Sequence, residues 1–239
     1  MKRLASAFVA IGLLAAAPAA AQAPDMSAIP VDWTRQAAAT PEGGFRLGNP
    51  DAPLKLVEFL SLTCSHCATF SAEAMPELLE HIRSGRVSVE YRNYVLNHYD
   101  LAAAVLSRCA APNEYFAMTT HLFARQDVWA GRADALTPAQ RAEIEVRPTP
   151  QSVARTAELI GLKQIAADHG ITPAQATRCL ASADGLNQVM AMRDAADRLG
   201  VDGTPTFMLN GRMIGGANWA MIQPLLAQTP AAGAGERGR

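Results

Sequence analysis

Residues 54–60, LKLVEFL, are a nearly continuous apolar run that reads as a buried strand, and this run leads within a few residues into Cys64-Ser65-His66-Cys67. A second strand pattern, RVSVEYRNYVL, covers 86–96. Between them, residues 64–83 carry helical spacing. Thr63 or Cys64 stands at the helix start, and Pro76 is expected to kink the middle. Strand, helix, strand with a connection of this length suits a right-handed parallel crossover, and it commits the chain to an α/β fold.

From Asp100 the texture changes to alanine-rich segments of helical character, several opening with Thr-Pro or Pro, which places a capping residue ahead of proline in the first turn. A long helix follows at 185–199. VDGTPTFMLNGRMIGG then returns to strand character, with Asn210-Gly211 as a hairpin signal, and 218–227 reads as a last helix. The expected organisation is an N-terminal extension at 22–45 with little periodicity and a first α/β part at 46–97. An all-helical insertion at 98–185, a second α/β part at 186–228 and a disordered tail at 229–239 complete it.

The start of the chain bears on where it works. Lys2 and Arg3 precede an apolar run from Leu4 to Ala17 and a small-residue segment, the order of a secretory signal peptide, with cleavage expected after Ala21. The run is short of the roughly 20 residues a membrane span requires. A soluble, exported protein is therefore expected. Cleavage leaves 218 residues (239 less 21) and removes two cations, so 19 basic residues face 22 acidic ones, a formal charge of −3. With no dense basic cluster, nucleic acid is not an expected partner.

The 4 cysteines form unlike sets: the tight pair Cys64/Cys67, and the distant Cys109 and Cys179. A disulfide between Cys64 and Cys67 would close almost no loop, so it makes a poor staple. Zinc needs four ligands, usually with a second close pair, and Cys109 and Cys179 each stand alone; the metal reading stays open but weak. A redox reading has physical support. Cys64 at a helix N-terminus faces free N–H groups and the positive end of the dipole, Cys67 lies almost one turn on, and His66 offers a cation or donor beside the sulfur. A fall of the Cys64 pKa from about 8.5 to about 4 would favour the reduced form by roughly 4 kcal/mol at pH 7, or about 90 mV. Such a disulfide is given away readily.

Two more features join the pair. In Gly203-Thr204-Pro205-Thr206-Phe207, a cis Pro205 would lack an N–H, while the peptide groups of Thr204 could pair with an extended substrate strand. Glu58 is the one charge between Leu56 and Leu60. It reads either as a strand-end residue facing water or as a buried proton acceptor for the Cys67 thiol, reached through water.

EFLSLTCSHC after a strand, GTPTFMLNG near the end and a helical block between them resemble the thioredoxin superfamily, specifically the periplasmic DsbA-like thiol:disulfide oxidoreductases. The resemblance covers about 48–226 and implies a thioredoxin fold with an inserted all-helical subdomain. It implies Cys64 as nucleophile, Cys67 as resolving thiol, His66 as the residue tuning the thiolate, Glu58 as the buried acid and Pro205 as the cis proline after Thr204. Ser65 stands where a proline is common in the family, and with Thr204 and Pro205 it is expected to contact substrate. Cys109 and Cys179, both on expected helices of the insertion, read as a structural disulfide, with a second redox pair as the alternative.

The function expected is a monomeric dithiol oxidase that introduces disulfides into reduced exported proteins through the redox-active Cys64–Cys67 disulfide, with no diffusible cofactor. By resemblance, a membrane quinone-linked protein would reoxidise it. An isomerase or reductase on the same fold is the closest alternative; by resemblance such proteins commonly add an oligomerisation domain, for which 22–45 is short. A redox-inert peptide-binding protein or chaperone is more remote. His81 reads as a solvated helix position, His98, His121 and His169 as scattered surface or capping groups, Trp129 and Trp219 as packing residues, and Met75, Met190, Met192, Met208 and Met213 as core filling or an adaptable groove.

Overall fold

A computed structural model describes residues 31–227, with the folded unit starting at Asp32. The signal-peptide reading of 1–21 and the tail at 229–239 lie outside the described residues. The sheet is built from β1 (Ala37–Ala39), β2 (Phe45–Gly48), β3 (Leu54–Leu60), β4 (Val87–Asn93), β5 (Thr206–Leu209) and β6 (Arg212–Gly216). Their order across the sheet is β1-β2-β4-β3-β5-β6; β3 and β4 run parallel and every other neighbouring pair antiparallel. Strand β3 is thus central, and only Lys55 along it is exposed, as its apolar run requires.

Helix α1 (Ser65–Arg83) joins β3 to β4. Its buried residues, Cys67, Phe70, Ser71, Ala74, Leu78 and Ile82, recur at helical spacing and face the sheet. Each large apolar side chain buried this way is worth about 1.5–3 kcal/mol relative to exposure. Pro76 lies inside the helix, which runs through it without interruption.

The insertion consists of α2 (His98–Ser107), α3 (Pro112–Ala124), α4 (Gln126–Gly131), α5 (Pro138–Ile144), α6 (Pro150–Leu159), α7 (Leu162–Asp168) and α8 (Pro173–Leu180). The three Thr-Pro openings act locally: Thr137, Thr149 and Thr172 each cap a helix in a reciprocal capping box, with proline in the first turn. Cys109 and Cys179 are joined by a disulfide that closes a separation of 70 residues, with Cα atoms 6.0 Å apart. Helix α9 (Ala183–Arg198) returns the chain to the sheet, and α10 (Trp219–Ala227) closes the described structure.

Two boundaries differ from the sequence reading. The sheet begins inside the stretch read as an aperiodic extension at 22–45. Three alanines have little strand propensity of their own, and β1 exists because Ala37, Ala38 and Ala39 pair with Leu47, Arg46 and Phe45. Its outer edge is covered by Asn113, whose side chain accepts from the Ala37 N–H at 3.0 Å. The long helix placed at 185–199 starts at Ala183, because the Ser182 hydroxyl caps it.

Candidate active site

Cys64 caps the N-terminus of α1 in an extended conformation, with no side-chain capping bond, so its sulfur is left free at the end of the helix. It is half-buried, whereas Cys67 one turn on has 0% exposure; both are free thiols. The loop before β5 brings the third part. The Thr204–Pro205 peptide is cis, and the Cys64 Sγ lies 3.3 Å from the Thr204 carbonyl oxygen, to which a thiol donates. The Thr206 hydroxyl donates to the Gly203 carbonyl at 2.8 Å and ties this loop down.

The electrostatics separate the two sulfurs. The Cys67 thiol, donating to Cys64, is the largest influence that brings the Cys64 pKa down to about 5; burial opposes it, and the Thr204 hydroxyl and the N–H groups of Cys67 and His66 add to it. The Thr204 Oγ1 is buried with no other partner, so it is available to the thiolate. Burial, followed by the hydrogen bond the Cys67 thiol gives to Cys64 and by the Glu58 charge, pushes that thiol far above the ordinary cysteine range. One sulfur is therefore a thiolate at neutral pH and its neighbour a protonated thiol.

Glu58 is buried on β3, between Tyr91 of β4 and Phe207 of β5. One of its oxygens, Oε1, has no partner, and burial, with the Cys64 charge second, lifts its carboxyl to about 8. The strand-end, water-facing alternative is excluded by that burial. His66 contributes its backbone N–H to Cys64, and the residue lines a groove of about 370 Å³ together with Phe70, Glu73, Pro205 and Met221. Of the methionines singled out in the sequence, none lines this groove; Met75 instead accepts from the Tyr91 hydroxyl at 3.5 Å. Ser65 is the first residue of α1 and exposed.

Three residues of the site went unread in the sequence. The Gln126 amide, opening α4, donates to the carbonyls of Leu62 and Cys64 at 2.8 and 3.0 Å. Asn97 donates to the Thr63 hydroxyl at 2.9 Å and caps α2. Asp100, fully buried, accepts the Leu62 N–H. The spacing Asn97-x-x-Asp100 was a visible helix-start signal, but nothing in it told of the loop ahead of Cys64. Away from the site, His121 and His169 are not scattered: their Nδ1 and Nε2 atoms are 2.9 Å apart. His81 is mostly buried beside Glu77 rather than solvated.

The arrangement defines a dithiol site of the thioredoxin kind: an activated sulfur at a helix start, a buried partner sulfur, an acid beneath and a cis-proline loop opposite. The family model described as Thioredoxin matches residues 40–226, and the chain belongs to that family. Among solved structures, it is similar to a protein-disulfide isomerase from Novosphingobium aromaticivorans, with 30% identity, a TM-score of 0.71 and coverage of 77% of this chain and 97% of that one. It shares the fold of alpha-DsbA1 from Wolbachia pipientis at 23% identity and a TM-score of 0.62, covering 79% of this chain and 91% of that one. A provisionally named protein-disulfide oxidoreductase of Rickettsia bellii is 31% identical over 91 residues, 37% of this chain and 35% of the relative. A second, from Rickettsia prowazekii, is 33% identical over 86 residues, 35% of this chain and 32% of the relative. These matches span about a third of the length of the curated relatives. No helix among the described residues is long and apolar enough to cross a membrane.

Proposed function

We propose that the protein is a protein thiol:disulfide oxidoreductase acting as a dithiol oxidase on reduced exported proteins. The observation that carries this reading is the asymmetry of the pair: Cys64 drawn down to about 5 beside a buried, protonated Cys67. A stabilised thiolate favours the reduced pair and makes the Cys64–Cys67 disulfide an oxidant. In the oxidised protein a substrate thiolate attacks the Cys64 sulfur. The Cys64–Cys67 bond breaks, a mixed disulfide forms, and the departing Cys67 sulfur takes a proton, for which the carboxyl of Glu58, neutral at pH 7, is the nearby source. A second substrate thiolate then attacks the substrate sulfur of the mixed disulfide and expels Cys64 as a thiolate. The substrate loses two electrons and the site gains them. Ser65, Thr204 and Pro205 flank the attacked sulfur, with the Thr204 backbone available to an extended substrate.

A membrane quinone-linked protein as reoxidant, a periplasmic location and a monomeric state belong to the same reading and rest on resemblance. An isomerase reading has one specific support, the likeness to the Novosphingobium protein, which is named for that activity. Incubation with a reduced, unfolded multi-cysteine protein separates them. An oxidase in its disulfide form oxidises that substrate stoichiometrically without other oxidant, and Cys64→Ser does not. Failure to oxidise it, with efficient rearrangement of a scrambled substrate in a glutathione buffer, would favour the isomerase.

A further inference from the structure

The groups that hold the loop ahead of Cys64 come from the helical insertion, and one of them is charged. Asp100, in the first turn of α2, has 0% exposure. Its Oδ1 accepts the Leu62 N–H at 2.8 Å and its Oδ2 the Leu96 N–H at 2.9 Å, and the Ser61 side chain favours its charged form. Leu62 follows β3 and Leu96 follows β4, so one carboxylate pins the segments leaving two neighbouring parallel strands. From the other side Gln126 holds the carbonyls of Leu62 and Cys64. The backbone that carries the reactive sulfur is thus clamped between a neutral amide and a buried carboxylate.

Accepting both N–H groups takes both carboxylate oxygens, which a neutral amide with one acceptor cannot match, so the clamp itself brings a charge into the interior at a desolvation cost. The charge has an effect of its own. Burial lifts the Asp100 carboxyl to about 6, bonds from Ser61, Leu96 and Leu62 oppose this, and the Cys64 charge adds to the rise. Coupling of this kind is reciprocal: a thiolate that disfavours the carboxylate is disfavoured by it to the same degree.

We propose that Asp100 is a positioning residue for the dithiol, fixing the loop that presents Cys64 and, through its negative charge, holding back the reduced form so that the insertion sets the balance between dithiol and disulfide. This rests on the redox reading of Cys64 and Cys67.

Wild type, Asp100→Asn and Gln126→Ala are equilibrated with mixtures of reduced and oxidised glutathione at pH 7, and their dithiol fractions are read by alkylation and mass spectrometry. Asn removes the charge while keeping an acceptor, so its equilibrium constant should move roughly three- to tenfold toward the dithiol, the scale of one charge interaction screened at about 1 kcal/mol. Gln126→Ala loosens the clamp without changing charge, so its shift should fall short of the Asn shift by at least about twofold. An Asn variant within about twofold of wild type, one shifted toward the disulfide, or a Gln126→Ala shift as large as that of Asn overturns the proposal. Carbon-13 NMR of wild type gives a reading that needs no variant: the Asp100 carboxyl should titrate higher in the dithiol than in the disulfide protein, and equal midpoints overturn the proposal. A wild type inert across all glutathione mixtures removes the redox reading and this proposal together, whereas a reactive wild type with an unshifted Asn variant removes this proposal alone.

Discussion

The Cys64 sulfur lies 3.3 Å from the carbonyl oxygen of Thr204, a residue 140 positions away in the chain. This contact joins the two α/β parts at the reactive atom. The thiol can donate to that carbonyl, but a thiolate cannot, and it turns instead to the Cys67 thiol and the Thr204 hydroxyl. Thr204→Val keeps the shape and removes the hydroxyl. A charge-assisted bond of about 1.5–3 kcal/mol corresponds to about 1–2 pKa units. The Cys64 pKa should rise by about that much in an ultraviolet titration of the thiolate, and an unchanged midpoint would remove Thr204 from the set of stabilising donors.

The two cysteines should fail in different ways when replaced. Cys64→Ser leaves only a buried thiol with its pKa pushed up, and exchange should stop. Cys67→Ser keeps the activated sulfur but removes intramolecular resolution, so a mixed disulfide with a substrate peptide should accumulate and be visible by mass spectrometry. Equal trapping by both variants would contradict the assignment of roles.

Stability should depend on redox state and pH together. The Cys64 pKa falls from 9.0 to about 5 on folding. A lowered pKa stabilises the folded dithiol fully above the unfolded value, and this contribution is lost as pH falls through the folded one. The disulfide form has no such thiolate. Denaturant midpoints of the two forms should therefore diverge in favour of the dithiol from pH 5 toward pH 9, with the gap narrowing on acidification; a gap independent of pH would count against the thiolate.

Glu58 shows the opposite sign. Its carboxyl rises from 4.5 to about 8, so holding it neutral costs the folded state increasingly as pH climbs from 4.5 to 8. At pH 7 this amounts to at most about 3 kcal/mol. Glu58→Gln should therefore be as stable as wild type or more so at pH 7, by about 1–3 kcal/mol. Exchange should slow by roughly tenfold or more, since proton transfer at Cys67 loses its partner. Stopped-flow exchange with a model dithiol measures the rate, and a variant as fast as wild type would exclude the proton-transfer role.

Features coded by neighbours along the chain were legible in the sequence. The capping boxes at Thr137, Thr149 and Thr172 lie within a single turn each, and Asn210-Gly211, with φ of +48° and +79°, closes the β5–β6 hairpin as its residue types require. The spacing of Cys64 and Cys67 is local in the same sense. What escaped was coded across distance. Ala37–Ala39 is a strand only because β2 lies beside it, and Asp100 and Gln126 reach Leu62 from 38 and 64 residues away. Glu58 was ambiguous because a strand with one charge does not say whether both of its faces are covered. The pairing of β3 with β4 and β5, and the layers packed on it, decide that.

Ultraviolet titration of the Cys64 thiolate in the reduced wild-type protein, with Cys64→Ser as the blank, tests the activated-sulfur reading at its source. A midpoint near pH 5 is the predicted result. A midpoint above about 8, the range of an ordinary cysteine, would contradict it and leave the pair without the asymmetry that makes its disulfide an oxidant.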